Sequence, residues 1–244
     1  MPWVFLYLEI GRFVGPYLSF VIFVLILIGM LIGIPLFSYK ILTKLKKNTR
    51  GHAVISNASI TFLIMLLLSL MFIQQVSVAS RKIDIFVAEN KDLNFTGYVN
   101  KVVSFLNNNI KKSYNTPEAC FEIDDYFYGV GGHYVMDAWG LNRAAIIVYQ
   151  GWGACGQTAI LIEELLKNAG YETRQARFKN IDHQWAEVKY NNTWLIVDPW
   201  YIGNLIEVKD LKNAKPEFQN ATGVIVQYSN GTTADANQEH GYFP

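Results

Sequence analysis

Cys155, His183 and Asp198 follow one another within the stretch 151–201, GWGACGQTAILIEELLKNAGYETRQARFKNIDHQWAEVKYNNTWLIVDPWY. A thiol becomes a strong nucleophile once an imidazole takes its proton, and a carboxylate behind the imidazole fixes its tautomer and supports its charge. The three residue types therefore suit acyl transfer through a thioester, with Cys155 as nucleophile, His183 as general base and Asp198 as orienting carboxylate.

The elements that must position them follow from the surrounding spacing. Gly151, Gly153 and Gly156 make a low-bulk turn around the cysteine. Ala159, Ile160, Ile162, Leu165, Leu166 and Ala169 then recur at helical spacing, and Gly170 can end that helix in the left-handed conformation. Cys155 is thus expected in or just before a first helical turn. Unpaired N–H groups and the helix dipole there favour thiolate over thiol and can hold an oxyanion. A lone cysteine at such a place is more often a small buried hydrophobe; the downstream residues change that weighting. Residues 172–178, 183–190 and 193–198 read as strands, the last two joined at Asn191-Asn192, a pair suited to the positive φ angles of a two-residue turn. If those two residues are the loop, Tyr190 faces Thr193 and His183 is the diagonal neighbour of Asp198. A shift of two would set His183 directly opposite it. In either register the two side chains share a sheet face, and a slip of one would separate them.

Three short strings, Gly-Ala-Cys-Gly-Gln-Thr-Ala at 153–159, His-Gln-Trp-Ala-Glu-Val at 183–188 and Trp-Leu-Ile-Val-Asp-Pro at 194–199, resemble the transglutaminase-like superfamily of papain-type thiol enzymes. The resemblance covers about fifty residues closely and 95–205 loosely. It implies the same roles for Cys155, His183 and Asp198. It also implies an α+β fold in which a cysteine-bearing helix packs on an antiparallel sheet. Many members carry Arg-Asp after the cysteine, where this chain has Gly156-Gln157. For the upstream aromatic that helps hold the oxyanion in animal members, Trp139 and Trp152 are both candidates. The implied activity is on protein or peptide amide bonds, with hydrolysis favoured over transfer to an amine. The alternative is a catalytically silent binding or assembly module of the cell envelope, which an ordinary thiol pKa near 8.5 would favour.

The chain has 244 residues, 51% of them hydrophobic and 17% charged, the balance of a membrane protein joined to a modest domain. Residues 17–37 and 53–73 are uncharged runs of the length a bilayer requires. The loop 38–52 between them holds Lys40, Lys44, Lys46, Lys47 and Arg50 without an acid, which predicts that it faces the cytoplasm and that everything after the second span lies outside. The expected organisation is a two-helix membrane anchor over 1–80, a connector over 81–94, a catalytic domain over 95–230 and a polar, mobile tail over 231–244. The part after residue 80 carries 15 basic and 19 acidic residues, so it offers no basic patch for nucleic acid. The expected partners are a peptide substrate and the lipid bilayer.

Other candidates carry less. Residues 98–112 have one apolar helical face, and the run AAIIVY at 144–149 reads as a buried strand or helix. Asp124-Asp125 lacks ligand spacing, so neither a metal nor another cofactor is expected. Cys120 is expected to stay a free thiol, His133 has no partner motif, and His240 is expected to be solvated. Sequons begin at Asn94, Asn191, Asn220 and Asn230 and are compatible with an external location.

Overall fold

The computed structural model describes residues 50–112 and 142–243, most of the first helix's N-terminal half as backbone alone. The run 17–37, most of the basic loop, Cys120, Asp124-Asp125, His133 and Trp139 lie outside the described residues. Helix α1, Arg50–Asn90, takes in the second uncharged run and continues through most of the expected connector. Among the described residues no helix is long and apolar enough to cross a membrane.

The chain divides into two compact units, one of which contains the described residues 79–112 and 142–243. Helix α2, Phe95–Asn109, opens on Asn94, whose side chain accepts a hydrogen bond from the Gly97 N–H at 2.8 Å. Its apolar face buries Val99, Val102 and Leu106, with Ile110 buried just beyond. Helix α3, Arg143–Gln150, settles the form of the apolar run; every residue from Ala144 to Gln150 is buried, which is why no helical period was visible in it. Two-residue strands β1 (Lys111–Lys112) and β2 (Trp152–Gly153) pair in parallel and tie α2 to the loop before Cys155.

Helix α4, Cys155–Asn168, carries the cysteine at its first position and buries Ala159, Leu161, Ile162, Leu165 and Leu166. It ends as the spacing predicts. Gly170 has φ 94°, its N–H donates to Lys167 at 2.9 Å, and the Tyr171 N–H reaches back to the Leu166 carbonyl at 3.2 Å.

Six strands, β3 (Glu172–Phe178), β4 (Gln184–Tyr190), β5 (Thr193–Asp198), β6 (Gly203–Glu207), β7 (Val224–Tyr228) and β8 (Thr233–Asp235), form one antiparallel sheet in the order β6-β5-β4-β3-β7-β8. The class is α+β, with α4 packed on β3 and β4. Period-two alternation sends Gln175, Ala186 and Val188 toward α4 and Arg174, Trp185 and Glu187 to the other face. That second face is covered by the chain's last forty residues, where Phe178, Trp185, Ile196, Phe218, Val224 and Tyr242 share one core.

The expectation for 231–244 is corrected here. The segment adds β8 to the sheet edge, and His240 is fully buried rather than solvated. Its polar composition conceals this because the carboxylate that pairs with His240, Glu187, lies 53 residues upstream, and a buried polar residue is stable only with such a partner.

Candidate functional site

The β4–β5 hairpin sets the histidine against the aspartate. Asn191 and Asn192 adopt φ 50° and 62°, and Tyr190 pairs with Thr193, the first of the two registers the sequence allows. His183 lies one residue before β4 and Asp198 ends β5. His183 Nε2 sits 2.6 Å from Asp198 Oδ2. The carboxylate is held in place from behind. Its Oδ1 accepts the Trp200 N–H at 3.3 Å and its Oδ2 the Ile202 N–H at 2.9 Å, both from the turn that follows Pro199. The imidazole lies between two rings, Tyr201 edge-on with centroids 4.6 Å apart and Trp185 at 6.0 Å and 18°. Both members of the pair are buried, His183 6% and Asp198 3% exposed.

The other side of the imidazole meets the cysteine. His183 is hydrogen-bonded to Cys155 as well as to Asp198. With Nε2 committed to the carboxylate, Nδ1 is the nitrogen left for the thiol. Cys155 is partly exposed and not in a disulfide. Helix start, strand start and strand end thus bring the three sequence-predicted residues together. Burial alone would push the His183 imidazole down; the hydrogen bonds to Asp198 and Cys155 and their negative charges outweigh it and raise the pKa from 6.5 to about 9. Folding therefore favours the imidazolium. The stabilisation is whole below pH 6.5 and is lost as pH rises through about 9. The melting temperature of the wild type is expected to fall across that window, and the fall should be flattened in His183→Ala, as a calorimetric pH series would record.

The turn at the cysteine depends on Gln157. Ala154, at the helix N-cap, has no side-chain acceptor, and the Gln157 Oε1 accepts the Ala154 N–H at 2.8 Å. Gln157 thus caps the loop that presents the thiol. Gly153 is required by close approach, since a Cβ there would lie 2.8 Å from the Gln157 Cβ. Gly153→Ala is expected to displace Gln157 and cost about 1–3 kcal/mol, the usual range for overpacking, measured by urea unfolding.

Trp152 is 9% exposed, and its indole N–H has no hydrogen-bond partner among the described residues. Sequence reasoning missed the polar chain beneath the site. Gln184 Nε2 donates to Gln175, Gln175 Nε2 to Glu163 Oε2, and Ser229 Oγ to Glu163 Oε1. The available signal was Glu163 itself, a carboxylate next to Ile162 on the buried stripe of α4. Among the described residues no group of three His, Cys, Asp or Glu side chains is placed to hold a metal ion.

No known family model matches the chain, and no characterised protein matches it significantly.

Proposed function

We propose that this chain is a membrane-anchored, transglutaminase-like thiol enzyme that acts on protein or peptide amide bonds outside the cytoplasm. The observation that carries the reading is a single buried imidazole shared between a helix-start thiol and a clamped carboxylate. His183 Nδ1 takes the Cys155 proton, and the thiolate attacks the amide carbonyl carbon. The oxyanion forms beside first-turn N–H groups of α4, which have no acceptor within the helix. The imidazolium then protonates the departing amine as the C–N bond breaks, leaving a thioester on Cys155. Water, deprotonated by His183, attacks the thioester; the carboxylic acid leaves and the thiol is restored. The partial exposure of Cys155 admits water and favours hydrolysis over transfer to an amine.

The membrane anchor rests on the two uncharged runs and the basic loop between them.

The test is a burst experiment on the full chain with p-nitrophenyl acetate. One equivalent of nitrophenolate should be released rapidly, with an acetyl group found on the Cys155 peptide by mass spectrometry and absent in Cys155→Ala. Added amine then separates hydrolysis from transfer by the product formed. A wild type with neither burst nor acetylated Cys155 refutes the enzyme and leaves a binding module on the same fold.

A further inference from the structure

We propose that the C-terminal segment 233–243 positions the base, His240 acting through Glu187 and Trp185 on His183. The inference rests on the reading of His183 as base.

Trp185 is the shared element. One side of its indole faces the His183 ring at 18° with centroids 6.0 Å apart; the His240 ring meets it edge-on at 6.3 Å. An indole has one donor, and this one donates to Glu187 Oε1 at 2.8 Å. The same oxygen meets His240 Nε2 at 2.6 Å, while His240 Nδ1 lies 2.8 Å from the Ala236 carbonyl. The His240 ring is thus held at both nitrogens, by a carboxylate oxygen at one and a backbone carbonyl at the other. The remaining carboxylate oxygen, Oε2, takes Arg174 Nε at 2.6 Å, and Arg174 Nη2 reaches Glu239 at 2.7 Å. Arg174, Glu187 and His240 are each 0% exposed.

Apolar contacts alone let a flat ring slide; a hydrogen bond to an immobilised oxygen does not. His240 holds the carboxylate oxygen that accepts the indole N–H, Arg174 holds the other, and the His240 ring also meets the indole edge-on. Two contacts then separate a residue near the C-terminus from the imidazole. Polar networks whose central members are buried and hydrogen-bonded, as Arg174, Glu187 and His240 are, specify a single arrangement.

The experiment is the alkylation rate of Cys155 against pH in the full chain, followed by peptide mass spectrometry so that Cys120 does not contribute. Wild type should stay reactive at pH 6. In His240→Ala the rate at pH 6 should fall about ten-fold, its inflection moving at least one pH unit toward the ordinary 8.5. Trp185→Phe, which keeps a ring and loses the donor, should move the same way, and His240→Gln, which can still donate to Glu187, should recover part of the loss. A merely structural role would lower the melting temperature and leave the inflection of the folded protein unmoved. Wild-type inflections in folded His240→Ala and Trp185→Phe overturn the proposal while the enzyme reading stands. If His240→Ala does not fold, Trp185→Phe and His240→Gln decide. A wild type that itself inflects near 8.5 removes the thiolate–imidazolium pair and the proposal with it.

Discussion

Asp198→Asn should acylate Cys155 roughly 10³- to 10⁴-fold more slowly than wild type, the scale found when a triad carboxylate becomes an amide. The reason lies in the number of acceptors. Asp198 accepts at both oxygens, from Trp200 at Oδ1 and from Ile202 and His183 at Oδ2. An amide has one acceptor. If its oxygen stays at the Oδ2 position, its NH₂ opposes the Trp200 N–H. If it flips, the NH₂ faces His183 Nε2, which must then accept, and the ring proton moves to Nδ1, where it blocks transfer from the thiol. Single-turnover nitrophenolate release measures the loss, and circular dichroism checks that the variant is folded. Asp198→Ala should cost stability as well, about 1–3 kcal/mol for each buried N–H left unpaired.

Glu187→Ala should have the largest effect on folding. It leaves the Arg174 guanidinium at 0% exposure with Glu239, itself about half exposed, as its only charged partner among the described residues. Breaking a buried pair from one side costs about 3–5 kcal/mol, which for a chain of this size lowers the melting temperature by about 10 °C. Burial raises the Glu187 pKa, but His240 and Arg174 outweigh it and hold the carboxyl below its usual 4.5. Its stabilisation is therefore present above pH 4.5 and is lost as pH falls through the lower folded value. Calorimetry at pH 7 and an acid titration test both statements. Replacing Arg174 and Glu187 together with apolar residues should cost less than Glu187→Ala alone, because no charge is then stranded.

The parts legible in the sequence are those whose signals are local. Asn191-Asn192 declares a turn, the turn limits the register, and the register brings His183 to Asp198. The spacing from Ala159 to Ala169 defines α4, and Gly170 its end. What could not be read depends on distant partners. His240 looks solvated until Glu187 is placed against it, and the 144–149 run has no period because α3 is buried all round. The continuation of α1 through residues 81–90 was hidden by mixed charge, which an exposed helical face tolerates. Gln157, read only as a departure from a family habit, proves to support the thiol's own turn.

The two polar assemblies around the site differ in the length of chain each must close. His183 and Asp198 are 15 residues apart and sit at the open end of one hairpin, and Arg174 and Glu187 are 13 apart across the next. His240 reaches Glu187 across 53 residues, and Glu239 reaches Arg174 across 65. Hairpins form in about 1–10 μs, and contacts between distant residues form more slowly. A refolding chain therefore gains its base–carboxylate pair early, in a sheet that is still open. The indole behind the base becomes immobile only when the last strand arrives, so in time the reactive centre is finished from its far side.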